Sequence, residues 1–339
     1  VTAATQFGYA AGLLLLVPLG DVRDRRSLIL WQVAALVAGM AAAALAPSLL
    51  ALTVASLCIG AAATIAQQVI PIVAELAAPE GRGRAVGTVM SGLLGGILLA
   101  RVLSGLVGAA AGWRAVFWFG TVLALAMALL LVRHLPAGLP YQPRPYGKLL
   151  MSLGTVWRQY PSLRRASLVQ ATLYGAFSAF WATLTLLLAS PAFDLGPAVA
   201  GGFGVIGLVG VGVAPLAGRL ADRRGVEGVI TTGVLSALAG FAALGLVPGL
   251  TGLVLGTVLV DAGFTMAMIS HQTVILALDD HARSRINTIF MTILFFAGAV
   301  GSVGGSLAWH NAGWPGVTLF GAALVLGGLA LHRFAWRAP

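Results

Sequence analysis

The chain has 339 residues, of which 59% are hydrophobic and only 9% charged, where a soluble chain carries roughly 25% charged residues. The few charges bunch into short clusters and leave apolar runs of about 20 residues, enough to cross a bilayer core. This excludes a soluble globular domain, and the net charge of +10 does not mark a nucleic-acid surface, because no stretch combines a basic stripe with interleaved aromatics.

Reading the apolar runs between charge clusters predicts helical spans at 2–20, 28–46, 49–77, 85–111, 115–132, 166–190, 198–218, 228–247, 250–278, 286–308 and 315–332. The fold class implied is an all-α polytopic membrane protein. The 45 glycines fit that class, since small side chains let membrane helices approach closely. Cys58 is the sole cysteine, so no internal disulfide and no thiolate metal cluster can form. No phosphate-binding loop, metal-ligand cluster or nucleophile with a base is present, so neither an enzyme nor a cofactor is expected.

Arg and Lys are unevenly distributed between the loops. Eighteen of the twenty fall in alternate loops or the tail; Arg114 lies on the opposite side and Arg101 inside a span. By the excess of basic residues in cytoplasmic loops, the C-terminus is expected in the cytoplasm. Nineteen of the twenty are Arg, which together with the abundant Ala and Gly suggests a GC-rich bacterium and its inner membrane.

One offset recurs along the chain. Asp21 and Arg23 match Asp222 and Arg224, Arg82 and Arg84 match Arg283 and Arg285, and Gly112-Trp113 match Gly313-Trp314, all 201 residues apart. Three anchors at matching loop positions predict two parallel halves, 1–133 and 166–339, with 134–165 as a cytoplasmic linker punctuated by Pro136, Pro140, Pro143 and Pro145. The helix at 166–190 opens the second half, and its counterpart is expected before residue 1, so the visible spans number two to twelve.

The loop after span eight reads Gly218-Arg-Leu-Ala-Asp222-Arg223-Arg224-Gly225. It resembles the major facilitator superfamily signature G-x-x-x-D-R-x-G-R-R, and the loop after span two keeps a degenerate copy with Asp21, Arg25 and Arg26. The resemblance covers the whole chain and implies the superfamily's two six-helix halves in pseudo-two-fold relation. It also implies a cytoplasmic latch made of Asp21, Arg25, Glu80, Gly218, Asp222, Arg223 and Gly225, with Arg25 pairing with Glu75 or Glu80. An acid near a helix start is favoured there by free N–H groups and the helix dipole. The proton antiporters of the superfamily often carry a G-x-x-x-G-P-x-x-G-G run in span five. Here Arg101 stands in its proline slot.

Arg101 and Asp261 are the two charges plainly inside spans, and an intramembrane ionisable residue points to function by default. Arg101 lies twelve residues before Trp113, and Asp261 about as far after Pro248-Gly249, so at 1.5 Å per residue both sit roughly 18 Å deep. Superfamily architecture brings their spans to the interface of the halves, where they are expected to form a gate or coupling pair; the bland alternative is a static ion pair. Asp261, His271 and Glu75 are the proton-carrier candidates. Gln6, Tyr9, Gln67, Gln68, Tyr174, Trp181, Thr265, Met268 and Gln272 are candidates to line a cavity, with Asp261, Thr265, Met268 and Gln272 recurring along one helix face.

Together these features point to a secondary active transporter working by alternating access. Its expected activity is proton-coupled efflux of small amphipathic compounds or sugars, performed by a monomer in the lipid bilayer. Uptake of a small anionic metabolite through Arg101, or a non-transporting membrane protein that kept the fold, are the alternatives.

Overall fold

The computed structural model describes residues 1–78, 81–137, 145–206, 208–279 and 281–335. Among these residues the regular structure is helical: α1 (Thr2–Val22), α2 (Arg25–Ala44), α3 (Leu49–Ala62), α4 (Ile65–Leu76), α5 (Arg82–His134), α6 (Tyr146–Gln159), α7 (Pro161–Leu188), α8 (Pro197–Ile206), α9 (Leu208–Leu246), α10 (Gly249–Leu276) and α11 (Arg283–Ala335). Eight helical stretches among the described residues are long and apolar enough to cross a membrane, and two of these, 83–134 and 283–334, are 52 residues long. Each double-length stretch is interrupted by one glycine. Gly112 has φ 80° and Gly313 has φ 60°, a region that costs a residue with a Cβ 1–2 kcal/mol. Each glycine thus divides one long helix into the two limbs expected from the sequence.

The chain separates into two compact units, 1–152 and 153–339, with the division falling inside α6. In the first unit, α1 packs on α3 with almost no side chain between them. A Cβ built on Gly8 would collide with the Leu57 carbonyl oxygen, and one on Gly60 with that of Thr5. Apolar clusters fill the remainder, with Ile29, Val33, Ile65 and Ile72 in one and Ala43, Ala55 and Ile59 in another. Asp24 caps α2 by accepting from the Ser27 backbone N–H at 2.9 Å, which satisfies one of the donors left over at a helix start.

In the second unit, α7 lies against α11 and α9 against α10, around a core that includes Phe180, Leu184, Leu188, Ile230, Val234 and Phe241. The backbones again approach closely, with Gly301 against the Gly175 carbonyl and Gly263 against that of Gly233. Large apolar side chains such as Trp31, Leu129 and Leu319 remain more than 70% exposed. That distribution is inverted for a water-soluble core and ordinary for helices solvated by lipid.

Two elements differ from the sequence reading. The span at 49–77 is broken at Ala63 and Thr64 into α3 and α4. The linker holds a helix, α6, whose Leu153 and Val156 are buried; four of its prolines precede Tyr146 and the fifth, Pro161, opens α7, so the helix itself is left intact.

Candidate functional site

The second unit carries the densest grouping of the chemistry singled out in the sequence. Tyr174, Phe177 and Trp181 sit at i, i+3 and i+7 of α7 and therefore share one face. Phe264 of α10 stacks on Phe177 with centroids 4.7 Å apart and lies 5.5 Å from Tyr174, while Phe295 of α11 meets Tyr174 edge-on at 5.4 Å. Offset and edge-on pairs at such distances each contribute about 0.5–1.5 kcal/mol beyond area burial. The result is a wall of five rings drawn from three helices.

Asp261 of α10 stands at the end of this wall. It is buried, and Trp181 Nε1 donates to its Oδ1 at 3.4 Å. Thr265, Met268 and Gln272 continue the same face of α10 and are half-buried. Asp261 lies in the second unit and Arg101 in the first, where Arg101 sits half-buried in α5 and its carbonyl accepts from Ser104 Oγ at 3.0 Å.

His271 is buried one turn below Met268, and its Nδ1 lies 2.9 Å from Gln170 Oε1 of α7. His332 of α11 makes a similar contact with Thr231 Oγ1 at 3.1 Å.

The first unit places its polar candidates in two separate groups. Gln67 Nε2 donates to the Tyr9 hydroxyl at 3.4 Å, and Gln6 is half-buried on the same helix as Tyr9. Gln68 points elsewhere. Its Nε2 donates to Gln32 Oε1 at 2.5 Å, and Gln32 Nε2 donates to Thr64 Oγ1 at 3.1 Å, which in turn donates to the Ala61 carbonyl at 3.0 Å. This buried ladder ties α2 to the break between α3 and α4. Gln68 is only 6% exposed, and its amide nitrogen is engaged inside the unit.

At one end of the first unit, Arg25 gathers three acceptors. It donates to Glu75 Oε2 at 2.7 Å, to the Gly20 carbonyl at 3.1 Å and to Asp21 Oδ1 at 3.5 Å. Arg26 reaches the Val132 carbonyl at 3.0 Å, which fixes the last turn of α5. Glu80 and the side chains of Gly218, Asp222 and Arg223 lie outside the described residues. Gly225 interrupts α9 with φ 71°.

Sequence reasoning missed Phe264, Phe295, Gln32 and Gln170. Phe264 falls one turn after Asp261 and could have been found by helical spacing. Gln32 and Gln170 meet partners 36 and 101 residues away, for which no local pattern exists. No group of three or more His, Cys, Asp or Glu that could hold a metal ion occurs among the described residues.

The model of the Major Facilitator Superfamily matches residues 1–302. The uncharacterized transporter YgaY of Escherichia coli O157:H7 is 38% identical over 96% of this chain and 83% of its own length. A probable transporter of Streptomyces coelicolor is also 38% identical, over 96% of this chain and 76% of its own. Among solved structures, the nucleoside transporter NupG superposes with a TM-score of 0.74 at 15% identity, covering 99% of this chain and 90% of its own. The human organic anion transporter MFSD10 gives 0.72 at 21% identity, covering 98% and 82%. At those identities the likeness is one of fold.

Proposed function

This chain belongs to the major facilitator superfamily of multi-pass membrane transporters, and on that premise we propose that it exports small amphipathic compounds in exchange for protons. The halves rock about a site at membrane depth, open first to one side and then to the other. Cargo lies against the wall of Tyr174, Phe177, Trp181, Phe264 and Phe295, which offers broad apolar area with few directional contacts and so suits compounds related by shape more than by functional groups.

Asp261 is the coupling group, and its position carries the reading. It is a buried carboxylate whose Oδ1 accepts from the Trp181 indole N–H at the edge of the aromatic wall. Loading a proton neutralises a buried charge, and losing it restores that charge, so the two forms favour different surroundings. Arg101 is its proposed partner in one state of the cycle. Of the other carriers considered, Glu75 is tied to Arg25 and His271 to Gln170, which leaves both in structural roles.

The proposed orientation places the Arg25 cluster and the C-terminus on the cytoplasmic side of a bacterial inner membrane, with the protein acting as a monomer. The latch then holds the cytoplasmic ends of the first unit while cargo exchanges.

The test uses the full chain in liposomes loaded with a pH-sensitive dye and a panel of amphipathic cations, neutral aromatics, sugars and organic anions. Export coupled to inward proton flux is expected for amphipathic compounds, with Asp261→Asn folded but uncoupled and Arg101→Ala slowed. Cargo-dependent proton movement that survives Asp261→Asn removes Asp261 from the mechanism. Uptake of anions alone, lost in Arg101→Ala, replaces this reading with anion import.

A further inference from the structure

A second feature of the 153–339 unit is a groove at the start of α7, lined by Pro161, Arg164, Arg165, Leu168, Val169 and, from α11, Leu331. Its two arginines differ. Arg164 is fixed in place, donating from one terminal nitrogen to the Trp157 carbonyl at 3.0 Å and the Arg158 carbonyl at 2.7 Å. Arg165 is half-buried, and among the described residues its guanidinium makes no hydrogen bond and no ion pair.

Among the described residues, no acid lines the groove to balance these charges. Leu168, one turn deeper along α7, is 45% exposed, and Leu331 across the groove is 40% exposed. Both belong to stretches long enough to cross a membrane. The order along the groove is therefore cation first and apolar surface about 5 Å deeper, which is the order of phosphate and acyl chain in a phospholipid.

We propose that this groove binds an anionic phospholipid, with its phosphate on Arg165 and the free donors of Arg164 and an acyl chain along Leu168, Val169 and Leu331. The planar guanidinium offers a matched pair of donors to phosphate oxygens. Two uncompensated cations select against zwitterionic headgroups, whose own cation they would repel. Basic pockets between membrane helices recognise headgroups in this way.

The experiment is native mass spectrometry of the delipidated full chain in detergent, titrated with dioleoyl phosphatidylglycerol, dioleoyl phosphatidylcholine or inorganic phosphate alone. Phosphatidylglycerol is expected to be retained about fivefold better than phosphatidylcholine, in line with the attraction of one basic residue to an anionic lipid, and phosphate alone not at all. Arg165→Gln should lose that preference while Arg84→Gln, an equal charge change at an exposed position of α5, keeps it. Leu331→Trp fills the groove with both cations intact and should also lose it, which keeps the test open if Arg165→Gln folds poorly. Equal loss in Arg84→Gln, unchanged retention in Leu331→Trp, or phosphate retained as well as the lipid each overturns the proposal.

Discussion

At positions 201 residues apart, the first unit has Gln32, Thr64 and Gln68 where the second has Gly233, Thr265 and Ile269. The first three form the hydrogen-bonded ladder from α4 to α2, and it accompanies a break in the helix at Ala63 and Thr64. In the second unit the same helix, α10, runs unbroken, and a Cβ on Gly233 would lie 2.7 Å from the Gly263 carbonyl oxygen. One unit joins these helices by side-chain amides and the other by backbone contact. A fourth matched pair sharpens the contrast: Gly60 seats α3 against α1, whereas its counterpart Asp261 is the buried carboxylate beside Trp181. The buried carboxylate stands where the opposite unit needs close packing, so the duplicated frames diverge at a position whose packing one copy relinquishes.

The largest effect is expected from moving that charge. Gly60→Asp drives a Cβ into the Thr5 carbonyl and buries an unpaired carboxylate, and should destabilise the protein by more than about 3 kcal/mol, seen as loss of monodisperse protein. Asp261→Gly should keep most of the thermal midpoint and abolish proton coupling. A stable Gly60→Asp variant would show that the α1–α3 contact is slack.

The amide ladder comes next. Gln32→Leu strands the Gln68 amide in an apolar setting and takes one donor from the Thr64 hydroxyl, and should cost about 1–3 kcal/mol. The double variant Gln32→Leu/Gln68→Leu should recover part of that loss, because it removes both partners. Thermal unfolding in detergent across the double-mutant cycle measures the coupling; additive losses would mean that the ladder does not act as a unit.

The ion pair of Arg25 with Glu75 has Val226 and Leu276 at the matched places, so the second unit does without it. With Glu75 46% exposed, the pair should contribute about 1 kcal/mol or less. Glu75→Gln is therefore expected to lower the thermal midpoint slightly at low salt and hardly at all at high salt. A salt-independent loss would point to packing of the arginine stem as the source.

Much of this architecture was legible in the sequence, and for physical reasons. Lipid solvates side chains without regard to tertiary partners, so span length and charge placement report directly on helices. Gly112 and Gly313 could be matched from sequence because a positive φ restricts the choice of residue on both sides of the duplication. The helix α6 was obscured by the prolines before it, although Leu149, Leu153 and Val156 already recur at helical spacing. The break at Thr64 was illegible because the apolar run continues across it, with no Gly, Pro or charge at the junction. At the candidate site, Asp261 and the face of α7 could be read, while Phe295 and Gln170 depend on which helices meet.

The smallest effect tests the second unit where the first has no counterpart. The Tyr160 hydroxyl donates to Asp279 Oδ2 at 2.8 Å and so joins the entry of α7 to the turn between α10 and α11. That bond holds the Asp279 carboxyl below its usual range and pushes the Tyr160 phenol above its own. The signs follow by linkage: a lowered carboxylate contributes stability above its unfolded pKa and loses it as pH falls through the folded value, whereas the raised phenol loses its contribution as pH rises past the ordinary tyrosine range. Tyr160→Phe should thus leave the thermal midpoint near neutrality almost unchanged, since both groups are exposed to solvent. Its acid decline should be shallower than that of the wild type, because less of the lowered carboxylate's contribution is there to lose, and Asp279→Asn should flatten that part of the profile in both backgrounds, since the His281 N–H also holds the carboxylate. Superposable acid limbs for wild type and Tyr160→Phe would show that this contact contributes nothing to fixing the entry of α7.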